Sequence, residues 1–200
     1  MRLAAAALLL LAGCAHLADS PEPLVDFGAM HPAAVLDIRY ATSNNIAGRP
    51  LYPVARCALR RSVALRLQAA ARELEADGLR IKLFDCYRPH SVQKELWRLK
   101  PDERYVADPV KGSRHNRGAA VDITLTDAKG EELVMPSGYD DFSEKAHRKN
   151  AKGPARANLK ILDEVMRAYG FTGLATEWWH YDAKGWERQP LSDIPLESIP

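Results

Sequence analysis

Apolar residues recur along this chain with two periods, and the changes of period mark out its elements. Leu59, Val63, Leu67, Ala70 and Leu74 fall at helical spacing, and Gly78 follows as a C-terminal cap. Leu79, Ile81 and Leu83 then alternate as a strand that leads to Arg88. Ser91 to Leu99 reads as a short helix packed through Val92, Leu96 and Trp97. Val121, Ile123 and Leu125 alternate with Asp122, Thr124 and Thr126, so this strand has one apolar face and one that presents Asp122. Helical spacing returns from Asn158 to Tyr169, with Leu159, Leu162, Val165 and Tyr169 inward and Gly170 behind them. Strand signals reappear between Phe171 and Tyr181. Helices and antiparallel strands segregated in this way predict an α+β fold, a small antiparallel sheet flanked by helices. There is no internal repeat, and residues 35–200 have a length that suits one core.

The N-terminal pattern is different. Met1-Arg2 precedes an apolar run from Leu3 to Leu11, too short for a permanent membrane span and followed by small residues, as in a secretory signal. Leu11-Ala12-Gly13-Cys14 is similar to a bacterial lipobox, which makes residues 1–13 a lipoprotein signal peptide and Cys14 the lipidated residue. A plain signal peptide cut near Ala15 is the alternative. Residues 14–34, with three prolines and little periodicity, read as a tether. The expected location is therefore the periplasm, with the protein held on the membrane, the outer one in a Gram-negative cell, by its lipid alone.

Charge narrows the range of partners. The formal net charge is +2, and removing residues 1–13 takes away Arg2, leaving +1. The basic residues are scattered, and the basic stretch from Asn150 to Arg156 has no interleaved aromatics, so nucleic-acid binding has no support. No obligate protein partner is implied. Of the three cysteines, Cys14 goes to the lipid, and Cys57 and Cys86 are expected to be bridged in an oxidising compartment. Neither sits in a metal-spaced cluster. A bridge would also brace Arg88, two residues beyond Cys86.

The candidate chemistry lies in two segments. Ser113-Arg114-His115-Asn116-Arg117-Gly118-Ala119-Ala120-Val121-Asp122 offers an imidazole and a carboxylate, and Glu177-Trp178-Trp179-His180 adds a carboxylate and an imidazole. Catalytic zinc commonly takes three protein ligands, an open position for water, and a nearby general base. On one helix His115 and Asp122 would stand roughly 10.5 Å apart, too far for one metal. A loop carrying His115, a turn at Gly118 and a strand carrying Asp122 can bring them together. Glu177 and His180 would face opposite ways on a regular strand, so a local irregularity is needed between them. Taken singly, His115 also reads as a surface histidine and Asp122 as an ordinary strand carboxylate.

Together, Ser-x-His-x-x-x-x-x-x-Asp and Glu-x-x-His resemble the zinc D-Ala-D-Ala metallopeptidases that share a fold with the hedgehog signalling domain. The similarity is greatest to the D-alanyl-D-alanine dipeptidases of the vancomycin-resistance type. It extends through Asp37-Ile38-Arg39-Tyr40-Ala41-Thr42, Asn45 with Gly48-Arg49-Pro50, Asp85-Cys86-Tyr87-Arg88-Pro89 and Asp140-Asp141-Phe142, covering about Val35 to Asp182. The resemblance implies one zinc ion on His115, Asp122 and His180, with Glu177 as general base and Arg88 as the donor to the developing oxyanion. It implies that Asp141 holds the ammonium of a small dipeptide, that Ser113 helps hold its terminal carboxylate, and that Tyr40 lines the amino-terminal end of the pocket. Choosing Asp141 over Asp140 rests on the resemblance alone, and a structural ion pair is the alternative role for Arg88. The implied activity is hydrolysis of D-Ala-D-Ala in the cell envelope, for wall turnover or salvage. A D,D-carboxypeptidase acting on longer wall peptides and a non-catalytic wall-binding protein are the rival functions.

Overall fold

A computed structural model describes residues 21–200. The expected signal segment and Cys14 lie outside the described residues. The strands are β1 (Leu24–Asp26), β2 (Val35–Leu36), β3 (Ala58–Arg60), β4 (Leu79–Asp85), β5 (Ala120–Asp127), β6 (Phe171–Gly173) and β7 (His180–Ala183). The helices are α1 (Phe27–Met30), α2 (Arg61–Ala76), α3 (His90–Leu99) and α4 (Gly153–Ala168).

The stripe on α2 buries Val63, Ala64, Leu67, Ala70, Ala71 and Leu74, and the helix ends where Gly78 takes φ +75°. Leu59, at the head of that stripe, belongs to β3, because its backbone pairs with Val25 of β1 before the chain turns into the helix. On α4, Leu159, Leu162, Val165 and Met166 turn inward. This helix starts earlier than its apolar stripe, at Gly153, with Pro154 in the first turn, where a missing N–H costs no hydrogen bond. Each leucine fully buried on these helices contributes about 1.5–3 kcal/mol over leaving it in water.

The main sheet has the order β2-β4-β5-β7-β6. It is the α+β arrangement expected, with one difference: β2 pairs parallel to β4, whereas the other neighbours are antiparallel. The parallel pair requires a long crossover, supplied by the segment that contains β3 and α2. Val121, Ile123 and Leu125 of β5 face the core shared with α2 and α4. The alternate residues Asp122, Thr124 and Thr126 are buried too, so both faces of this strand are covered. Phe84, Ala146, Ala151, Leu159, Trp178 and Trp179 form a second apolar cluster.

Residues 24–30 of the expected tether are folded structure. β1 pairs with β3, Phe27 is completely buried, and Glu22 accepts hydrogen bonds from the backbone N–H and hydroxyl of Ser62 at the start of α2. A three-residue strand and a one-turn helix are too short to show a period, and long-range contacts alone stabilise them.

Candidate metal centre and active site

Two local irregularities and one strand register build the metal centre. His115 begins a short 3-10 turn, His115–Arg117, which Gly118 closes at φ +66° by donating its N–H to the carbonyl of His115. A side chain at Gly118 would strain this left-handed backbone and collide with Leu24, so the expected turn residue is sterically required. The chain then enters β5, and Asp122 pairs directly with His180 of β7. His115 Nε2 and His180 Nδ1 lie 3.1 Å apart, and both imidazoles reach Asp122 Oδ1, at 3.3 and 3.1 Å respectively. Four-coordinate zinc with bonds near 2.0–2.1 Å separates its ligand atoms by about 3.3 Å. Two nitrogens and a carboxylate oxygen at these spacings therefore fit a tetrahedral zinc.

Further contacts orient two of the ligands. His115 Nδ1 bonds to the Cys86 carbonyl at 2.6 Å, which directs Nε2 inward. Asp122 Oδ2 accepts the hydroxyl of Tyr139 at 2.9 Å. Burial opposes ionisation of Asp122, but His115 and His180 hold its carboxyl well below the ordinary range. Burial also opposes protonation of His180, yet Asp122 and Asp182 push it up to about 10.

Glu177 lies in the six-residue connection between β6 and β7, where the expected irregularity is found. The N–H of Leu174 bonds to the carbonyl of His180, and the N–H of Glu177 to the carbonyl of Leu174, so the chain bends before β7 begins. This bend leaves Glu177 Oε2 3.9 Å from His180 Nδ1. Burial raises its pKa, with Asp122 adding to the shift and His180 opposing it. Trp178 and Trp179 are buried and anchor the loop. Arg148, which sequence reasoning passed over, threads through the bend. Its Nε donates to the Leu174 carbonyl at 2.7 Å, and Nη2 donates to the carbonyls of Trp178 and His180 at 2.7 and 3.0 Å. Nη1 pairs with Asp163 and reaches the Tyr181 hydroxyl at 3.1 Å. A side chain at Gly173 would collide with this guanidinium.

Arg88 is placed by a bulge in β4. The register shifts between Leu83, opposite Ile123, and Asp85, opposite Asp122. The extra residue re-aims the strand end and leaves Asp85 fully buried. Asp85 Oδ2 takes both Nε and Nη2 of Arg88, at 3.1 and 2.7 Å, while Oδ1 accepts from Tyr52 and from the backbone of Cys86. Gln93 Oε1 accepts Nη1 of Arg88 at 2.8 Å, which is why Gln93 takes a buried position on α3 while Trp97 is only half-buried. Burial works against the charge on Arg88, but Asp85, with Tyr40 and Tyr52, more than offsets it. The ion pair that served as the alternative reading is present, and it fixes an arginine that also lines the cavity. The expected Cys57–Cys86 disulfide is formed and pins the same segment to β3.

His115, Asp122, His180, Glu177 and Arg88 all line one cavity of about 700 Å³. Tyr40 lies under the guanidinium of Arg88, 4.9 Å from its centre. Ser113 is buried, and its Oγ accepts the N–H of His115 at 3.2 Å. Asp140 and Asp141 both line the cavity, but differently. Asp141 Oδ1 is occupied by the N–H of Ser143 at 2.9 Å, as in an ordinary turn. Asp140 sits at φ +58°, in the left-handed region that aspartate tolerates better than most residues, and its buried Oδ2 has no hydrogen-bond partner. Burial, Asp122 and Glu177 push its pKa up to about 8, against the pull of Arg88. The buried carboxylate oxygen without a partner in the cavity is thus that of Asp140, the neighbour of the Asp141 expected to hold the ammonium. The backbone at residue 140 makes this choice, and no local pattern of residue types reports it.

Comparison with known proteins agrees with the geometry. The family model described as D-Ala-D-Ala dipeptidase matches residues 21–193. The chain belongs to this family. It is 35% identical over 177 residues to the D-alanyl-D-alanine dipeptidase of Escherichia coli, covering 88% of this chain and 91% of that one. It is 33% identical over 169 residues to the enzyme of the same name from Enterococcus faecalis, covering 72% and 83%. A Streptomyces coelicolor relative of that name is 32% identical over 174 residues, covering 74% and 85%. Family membership makes the protein a zinc metallopeptidase, and His115, Asp122 and His180 form a set that could hold the ion. The match from residue 21 also agrees with the folding of β1 and α1 into the domain.

Proposed function

We propose that this protein hydrolyses D-alanyl-D-alanine to two D-alanines. The observation that carries the reading is the buried, unpartnered Oδ2 of Asp140 in the cavity that also holds the metal ligands. A free dipeptide brings an ammonium to such a group, and an unpaired buried carboxylate is costly until it is met. Peptides extended at the amino end have no ammonium there.

Zinc, when bound by His115, Asp122 and His180, supplies Lewis acidity that acidifies a water and polarises the scissile carbonyl. The protein's own groups do the rest. Glu177 takes the proton of the attacking water and returns it to the leaving amine. Arg88, held by Asp85 and Gln93, donates to the oxyanion that develops on the carbonyl oxygen. Asp140 receives the ammonium. Ser113 helps hold the terminal carboxylate, and Tyr40 closes the amino-terminal end. The similarity of residues 1–14 to a lipoprotein signal supports an envelope location and a role in wall turnover or D-alanine salvage. An intact signal in a cytosolic fraction would exclude that part.

The test is hydrolysis of D-Ala-D-Ala, N-acetyl-D-Ala-D-Ala, L-Ala-L-Ala and a muramyl pentapeptide by the zinc-loaded protein. The free D,D-dipeptide should be preferred, with the acetylated form cleaved poorly and Asp140→Asn raising KM for the dipeptide. Faster cleavage of the pentapeptide would instead assign a D,D-carboxypeptidase.

A further inference from the structure

His180 and Asp182 lie two residues apart on β7, so their side chains leave the same face of the strand. Asp182 pairs across the sheet with Ala120 on one side and Thr172 on the other. Asp182 Oδ1 stands 2.9 Å from Nε2 of His180, the nitrogen turned away from the metal centre. On its other side, Asp182 Oδ2 is 3.6 Å from Nε of Arg114, a half-exposed side chain whose Nε atom is itself covered and has no hydrogen-bond partner among the described residues. The Arg114 guanidinium lies over the Trp186 ring at 4.7 Å. Arg114 precedes His115 directly, so Trp186, Arg114 and Asp182 form a continuous brace from the turn bearing one metal ligand to the strand bearing another.

We infer that Asp182 is a positioning residue for zinc: its carboxylate keeps the proton of His180 on Nε2 and aims the Nδ1 lone pair at the metal. The physical reason is the difference between the partners of the two histidines. His115 bonds to a neutral carbonyl, that of Cys86, whereas His180 bonds to a carboxylate that Arg114 holds in place. An ionised carboxylate can only accept, so it selects one tautomer, and its charge strengthens electron donation through the ring. Neither Asp182 nor Arg114 needs to touch a substrate for this. The inference rests on the zinc site and not on the identity of the dipeptide, so failure of the hydrolysis assay would leave it standing.

The test is zinc affinity of the full protein, measured by competition with a chromophoric chelator, for the wild type, Asp182→Ala and Asp182→Asn. Losing such a partner typically weakens binding about 10–100-fold, and Asp182→Ala should fall in that range. Asp182→Asn keeps an oxygen acceptor without the charge and should lie between the alanine variant and the wild type. The visible bands of the cobalt-substituted protein should shift in the same order, which a purely structural role for Asp182 would not produce. Melting of the metal-free protein separates loss of folding from loss of ligand orientation. Should Asp182→Ala fail to fold, Asp182→Asn decides alone. Wild-type zinc affinity with an unshifted cobalt spectrum, in both variants or in Asp182→Asn when it is the sole folded one, overturns the inference.

Discussion

The two sides of the metal centre are held by different means. On the β4–β5 side, His115 and Asp122 sit on a short turn and the strand that follows it, and a turn glycine, a backbone carbonyl at the end of β4 and a disulfide do most of the positioning. Gly118 closes the turn, the Cys86 carbonyl orients His115, and the disulfide at Cys86 ties that segment to β3. On the β6–β7 side, Glu177 and His180 sit on an irregular connection whose carbonyls converge on one guanidinium, that of Arg148, which comes from outside the loop. The first side is held by backbone hydrogen bonds and a covalent bridge. The second is rigid only while a distant side chain remains in place.

The largest effect should come from the three ligands, which belong to both sides. His115→Ala, Asp122→Ala and His180→Ala should each lose zinc and activity with the core still folded. Elemental analysis checks this, and stoichiometric zinc in any one of them would remove that residue from the ligand set.

Glu177→Ala separates chemistry from metal binding on the β6–β7 side. It should keep zinc and lose about 10²–10⁴-fold in kcat, the usual contribution of a general base. Near-wild-type turnover with zinc bound would leave Asp140 as the carboxylate to consider. Arg88→Met makes the matching cut on the β4–β5 side, with an expected loss of about 10²–10³-fold, as for other oxyanion donors. A phosphinate mimic of the tetrahedral intermediate should bind it weakly. It should also melt lower, because Asp85 is left buried without its partner, a change that costs about 3–5 kcal/mol in comparable pairs.

Arg148→Met tests the contrast directly. It leaves the carbonyls of Leu174, Trp178 and His180 without these donors, and an unsatisfied buried group costs about 1–3 kcal/mol. Hydrogen exchange should accelerate from Leu174 to His180 while β4 and β5 keep their protection. Uniform acceleration across both sides would mean that the two are not separately held. The smallest effect on turnover should follow Cys57→Ser with Cys86→Ser, which removes about 2–4 kcal/mol of stability but leaves every ligand in place. Thiol titration of the oxidised wild type, native and denatured, should find neither cysteine free.

The contrast also explains what was legible from residue order. Helices α2 and α4 and strands β4 and β5 carry enough residues for a period to show, so their existence and inward faces could be read directly. His115, Gly118, Asp122, Glu177 and His180 were legible because each belongs to a short motif whose residue types match the needs of zinc. Beyond those segments the signal is lost. β1 and α1 are too short for a period, so by residue order alone they read as a tether. Asp85 stands in a motif that drew notice for Arg88, but its burial depends on a bulge.

By itself, then, the sequence determined the fold class, the ligand types and the pair of segments that supply them, because these follow from local spacing and side-chain chemistry. The tertiary structure alone decided that Asp140 presents a buried, unpartnered carboxylate oxygen to the cavity, that Arg148 holds the Glu177 loop, and that Asp182 backs His180. Each of these depends on a backbone torsion, a bulge or a register between strands distant in sequence. Such features are set by the packing of the whole chain, and neighbouring residues carry no record of them.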